Sequence, residues 1–258
     1  MMRVLAMACM SVLLAGGAAA QTVTEGEWIN LFDGETTYGW VHTGDVVWEV
    51  SDGAIEAEDG WSGLLATTSQ FADFELHVTL QLGRQGTAGV LFRSPLTGHP
   101  VDTGGNMIYV ECDERTGCDE QQIVVRAVGD SVEATVDGEP VELTTERRIG
   151  HIGIGFHRYH SQGRGQELTI KEVKLRPLQL TPLFDGETLD GWNILPGRNS
   201  EFTVEEGAIR IVNGNGQIET EGVYQDFLLQ LDVYSNGDAL NSGVFFRGPV
   251  GEFWRGYE

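Results

Sequence analysis

Proline is scarce, at 7 of 258 residues, and basic residues are scarcer than acidic ones, with 16 Lys and Arg against 39 Asp and Glu. The resulting formal charge of −23 excludes a nucleic-acid surface, because phosphate contacts demand a basic face. It also disfavours an anionic membrane surface. Beyond the N-terminus no run approaches the roughly 18 apolar residues that cross a bilayer as a helix, so no transmembrane segment is expected. Helical periodicity over ten or more residues is also missing, which removes bundles and coiled coils. Only three cysteines occur, too few for a disulfide scaffold.

The chain is rich in glycine, 35 residues or about twice the usual ~7%, and has a hydrophobic fraction of 41%, sufficient for a core. That mixture implies many turns between short strands. Residues 1–20 read as a signal peptide: Arg3 at the charged start, an apolar run from Val4 to Ala15, and Ala18-Ala19-Ala20 before Gln21. Export to a periplasmic or extracellular space is the expectation. There Cys112 and Cys118 can close a short loop, the alternative being two free thiols.

A duplication organises the rest. Leu31-Phe32-Asp33-Gly34-Glu35-Thr36 recurs as Leu183-Phe184-Asp185-Gly186-Glu187-Thr188, each followed by Gly-Trp. Gly53-Ala54-Ile55 recurs as Gly207-Ala208-Ile209, Asp73-Phe74 as Asp226-Phe227, and Gly89-Val90-Leu91-Phe92-Arg93 as Gly243-Val244-Phe245-Phe246-Arg247. The pairs keep their order at nearly constant offset. One domain is expected over residues 21–178 and the N-terminal half of a second copy over 182–258, the chain reading as a fragment of a longer protein.

Within the first copy alternation of period two dominates. Phe74, Leu76, Val78 and Leu80 oppose Glu75, His77, Thr79 and Gln81; Ile152, Ile154 and Phe156 oppose His151, Gly153, Gly155 and His157. Val90 and Phe92 likewise oppose Gly89, Leu91 and Arg93. Short antiparallel strands with one apolar face predict an all-β, two-sheet jelly-roll sandwich. The polar faces, carrying Arg93, Glu111, His77 and His157, are expected to gather over one hollow.

The runs at 183–192, Gln225-Asp226-Phe227, Asn241 to Gly248 and Trp254-Arg255-Gly256-Tyr257-Glu258 together resemble the 3-keto-disaccharide hydrolase domain family. The resemblance implies a concanavalin A-like jelly roll, export from a bacterial cell, and hydrolysis of oxidised glycosides, with a carbohydrate as ligand. In such chemistry a ketone at C3 acidifies the C2 hydrogen. A base removes it, a cation or metal steadies the enolate, and the C1 substituent leaves. Glu111 and Glu258 are the candidate bases, Arg93 and Arg247 the candidate oxyanion clamps, and His157 and His160 candidates for base or metal ligand. Tyr109, Trp61, Asn241, Trp254 and Tyr257 are candidate ligand contacts. The identity of any cofactor stays open; a divalent ion is compatible with this chemistry. In the first copy Thr87-Ala88 replaces the Asn-Ser pair before Gly.

Each residue also fits a plainer role: the arginines in ion pairs, Glu111 on a solvated sheet, the histidines in loops, and Asp33 and Asp185 in tight turns. The run Glu111-Cys112-Asp113-Glu114 approximates a paired-carboxylate glycanase motif, but Arg115 and Thr116 stand where its third carboxylate belongs. A noncatalytic carbohydrate-binding or surface-interaction module is the alternative function.

Overall fold

The computed structural model describes residues 23–83, 86–96, 106–112, 118–143, 147–158, 167–235, 237 and 241–258. The expected signal segment 1–20 and His160 lie outside them. Among the described residues every regular element is a strand. In chain order these are β1 (Ile29–Asn30), β2 (Trp40–Gly44), β3 (Val47–Ser51), β4 (Ala54–Asp59), β5 (Ser62–Phe71), β6 (Phe74–Leu82), β7 (Gly86–Ser94), β8 (Asn106–Glu111) and β9 (Gln121–Val128). Then come β10 (Ser131–Val136), β11 (Glu139–Pro140), β12 (Gly150–Arg158), β13 (Leu168–Pro177), β14 (Trp192–Ile194), β15 (Glu201–Glu205), β16 (Ala208–Val212) and β17 (Ile218–Thr220).

Two antiparallel sheets form the sandwich. The larger runs β11-β10-β9-β6-β13-β4-β3 with β1 added on β13; the smaller runs β2-β5-β12-β7-β8. The expected two-sheet jelly-roll class holds, and the alternation explains why. Phe74, Leu76, Val78 and Leu80 of β6, Val90 and Phe92 of β7, and Ile152, Ile154 and Phe156 of β12 are all buried in one core between the sheets. Burying each such side chain stabilises the fold by about 1.5–3 kcal/mol. Cys112 and Cys118 are joined by a disulfide. It sits where the chain leaves β8 of one sheet, and the Cys118 N–H donates to Leu82 O at the end of β6 in the other.

Residues 182–258 repeat the opening of the sandwich in local detail. Asp33 Oδ1 accepts from the N–H groups of Glu35 and Thr36; Asp185 Oδ1 accepts from those of Glu187 and Thr188. The Trp40 indole donates to Leu31 O at 2.7 Å, and the Trp192 indole to Leu183 O at 2.7 Å. Among the described residues of this segment, only β14 with β17 and β15 with β16 pair as sheets. Phe227, Leu229, Val244 and Phe246, counterparts of the buried Phe74, Leu76, Val90 and Phe92, stand exposed.

Candidate functional site

The register of the smaller sheet sets three positions in a row across its outer face. Thr87 on β7 pairs with His157 on β12 and with Glu111 on β8. One step along, Gly89 pairs with Gly155 and with Tyr109. Directly paired residues share a face, so two glycines form a floor between His157 and Tyr109, and the Met107 thioether lies over Gly89. A shallow depression there is lined by Thr87, Gly89, Met107, Tyr109, Gly155 and His157, with Ala88 and Phe156 beneath. Tyr109 is 51% exposed over it. Trp61, also exposed, stands at the same end, since Ser62 pairs with His157 and Trp61 O accepts the Arg158 N–H. Of the sequence candidates the fold thus gathers His157, Tyr109 and Trp61, with the backbone of Glu111 in the same row.

Arg93 does not join them, which corrects the alternation reading. Between His151 and Gly153 the β12–β7 register slips by one residue, His151 facing Ser94 and Gly153 facing Leu91. The extra residue on β7 is a bulge, and Arg93 takes it with φ +49°. A bulge reverses the face of every residue beyond it, so Phe92 and Arg93 are buried in succession, Arg93 at 1% exposure. Its guanidinium donates to Ala72 O at 2.7 Å and Gly129 O at 2.8 Å and pairs with Asp73 at 3.2 Å. Burial pushes its pKa down, and the Asp73 carboxylate pulls it back. Arg93 also lies at the opposite end of β7 from the position facing Glu111, roughly 20 Å away at the ordinary strand rise.

Arg247 repeats the posture, with φ +55°, a 3.0 Å hydrogen bond to Gln225 O and Asp226 at 3.9 Å. The recurrent arginine is therefore a clamp on the corner before Asp-Phe, not part of the hollow. His77 is displaced too. It lies on the larger sheet, where Glu75 accepts from it, from Arg126 and from Arg176, and Trp28 packs against its ring.

In the second segment Asn241, Trp254, Tyr257, Arg247 and Glu258 are all exposed. Trp254 packs edge-on against Phe245 and Phe253, and Tyr257 stacks on Phe246. Among the described residues no group of three His, Cys, Asp or Glu side chains could hold a metal ion. No helix among them is long and apolar enough to cross a membrane. Sequence reasoning missed Thr87, Met107 and the glycine floor as site formers. The Gly153-x-Gly155 repeat on a polar face was the available signal.

The turn that presents Trp61 and Ser62 rests on a carboxylate. Asp45 Oδ1 accepts both of their N–H groups, which holds its pKa below the ordinary 3.8. Asp33 and Asp185 are lowered in the same way by the amides of Thr36 and Glu35 and of Thr188 and Glu187. A carboxylate with a depressed folded pKa stabilises above its unfolded pKa and loses that contribution as pH falls through the folded value. The thermal midpoint is therefore expected to be insensitive to these three groups near neutrality and to drop below about pH 4. Asp45→Asn should flatten part of that acid slope in a scan of melting against pH.

An antiparallel two-sheet sandwich with a shallow depression on the outer face of its smaller sheet is the class these features define. The profile of the 3-keto-alpha-glucoside-1,2-lyase-like domain matches residues 27–120 and 179–258, and the chain belongs to that family. No curated protein matches it in sequence. Among solved structures it is similar to a protein with a galectin-like fold from Bacillus subtilis, at 10% identity and TM-score 0.46, over 62% of this chain and 100% of that one. A β-glucanase of Bacillus licheniformis matches at 11% identity and TM-score 0.42, over 59% and 98% of the respective chains. A carbohydrate-binding module from Bacillus subtilis matches at 14% and 0.40, over 53% and 94%.

Proposed function

We propose that this is an exported protein built of repeated sandwich units that cleaves 3-keto glycosides by elimination across C1 and C2. The observation that carries the reading is the depression on the smaller sheet where Thr87 and His157 lie beside an exposed Tyr109, in the backbone row that Glu111 shares. A sugar ring can rest against such an aromatic edge, with polar side chains beside it. Removal of the C2 proton gives an enolate of the C3 ketone. Its collapse forms the C1–C2 double bond and expels the glycosidic oxygen with its bonding pair, which then takes up a proton. Water added across that double bond completes a net hydrolysis. Family membership supports this chemistry.

A second reading, a sugar-binding unit without catalysis, is favoured for residues 21–178 by one observation. With Arg93 buried elsewhere, the described residues lining the depression offer no arginine or lysine to an enolate. The deciding experiment incubates the protein with a 3-keto α-glucoside and with its unoxidised parent, with and without chelator. Release of the aglycone from the keto sugar alone is expected. Turnover of neither, with binding retained, establishes the second reading.

A further inference from the structure

Two separate placements relate the last residues of the second segment to β8. Phe246 and Tyr257 exchange both backbone hydrogen bonds, at 2.9 and 3.0 Å. In the first unit Phe92 faces Asn106 and Leu91 faces Met107. Phe246 is the counterpart of Phe92 in the repeated Gly-Val-x-Phe-Arg run. Tyr257 therefore stands where Asn106 stands, and Glu258 where Met107 stands. The glycine floor gives the same answer. A methyl group built on Gly89 would strike the Met107 thioether, whereas one built on Gly243 would strike the Glu258 carboxylate. Matching Tyr257-Glu258 to Tyr109-Val110-Glu111 by sequence is thus out of register.

We propose that Glu258 is the base that removes the C2 proton, and that the first unit has lost this step because Met107 occupies the position. The inference rests on the elimination reading above and names its acting residue. A thioether cannot take a proton from carbon in water, while a carboxylate beside a ketone-acidified hydrogen can. Met107 does not merely leave the place vacant. With Leu64, Ala66, Leu91 and Leu96 it forms a separate apolar cluster on the outer face of the smaller sheet. Leu64, Ala66 and Leu91 in that cluster are buried. By the repeat offset the second segment carries Asn241, two residues before Gly243, and Phe245, the counterpart of Leu91. In the first unit Asn241 gives way to Thr87. The step balances: the Glu258 carboxylate takes the C2 proton, the C–H pair enters the enolate and then the C1–C2 bond, and the protonated carboxyl can return the proton to the departing oxygen.

The test uses the full chain with a 3-keto α-glucoside bearing a chromogenic aglycone, reading aglycone release and C2 hydrogen–deuterium exchange in heavy water. Glu258→Gln should lower kcat about 10²–10⁴-fold, abolish the exchange and leave KM and the melting midpoint unchanged. Arg210→Gln, in the exposed ion pair with Glu205, should leave the rate as it is. A Glu258→Gln protein that keeps the wild-type rate, or a loss seen with Glu111→Gln instead, overturns the assignment while the elimination reading stands. An unsubstituted chain that neither releases aglycone nor exchanges deuterium overturns both.

Discussion

Arg93→Ala is expected to destabilise the first unit by about 3–5 kcal/mol, the cost of removing one partner from a buried charged network. The side chain is 1% exposed and ties three parts of the chain together. Ala72 and Asp73 at the β5–β6 corner, Gly129 in the turn after β9, and Arg147 before β12 all receive its hydrogen bonds. Asp73 also accepts the Gly129 N–H at 2.7 Å, so truncation strands a carboxylate and several carbonyls at once. For a unit of this size the melting midpoint should fall by on the order of 10 °C. Arg93→Lys should recover little of this, because an ammonium cannot span the fork of acceptors that the planar guanidinium reaches. In Arg247→Ala, where the side chain is 56% exposed, the change should stay under about 1 kcal/mol. A melting curve of Arg93→Ala that matches the wild type, joined to a loss of sugar turnover, would return Arg93 to the hollow.

Phe92→Ala carries a comparable effect for a different reason. Phe92 is fully buried, packs edge-on against Phe74 at 6.4 Å, and belongs to the core between the two sheets. Its truncation leaves a cavity that close-packed neighbours cannot refill, a loss of about 3–5 kcal/mol. Phe246 occupies the same place in the repeated run but is 42% exposed, stacked on Tyr257. Phe246→Ala is expected to change denaturant unfolding by under about 1 kcal/mol. Equal losses in the two variants would mean that residues 221–258 are packed in solution as fully as β6 to β8.

Much of the candidate site was legible in the amino-acid order, but not which residues meet. Glu111, His157, Tyr109 and Trp61 were recognisable as polar or aromatic punctuation of apolar strands, and the register brings all four to one end of the smaller sheet. Arg93 carried the same alternation signal and was misplaced. A bulge is a one-residue event, invisible to a period of two, yet it reverses every face beyond it. His77 failed differently: alternation says that a side chain faces outward without saying from which of two sheets. Glu258 and Met107 became equivalent only through the Phe246–Tyr257 bridge.

From sequence alone came the all-β class, the alternation that fills the core, the Asp-Gly turns, and the recurrence of one motif set along the chain. All of these depend on neighbours a few residues apart, where backbone sterics and local hydrogen bonds decide. Which strands lie side by side, where Arg93 points, and whether a carboxylate or a thioether rests on the glycine floor were decided by the tertiary structure. Those outcomes depend on pairing register between segments distant in the chain, and a slip of a single residue exchanges inside for outside.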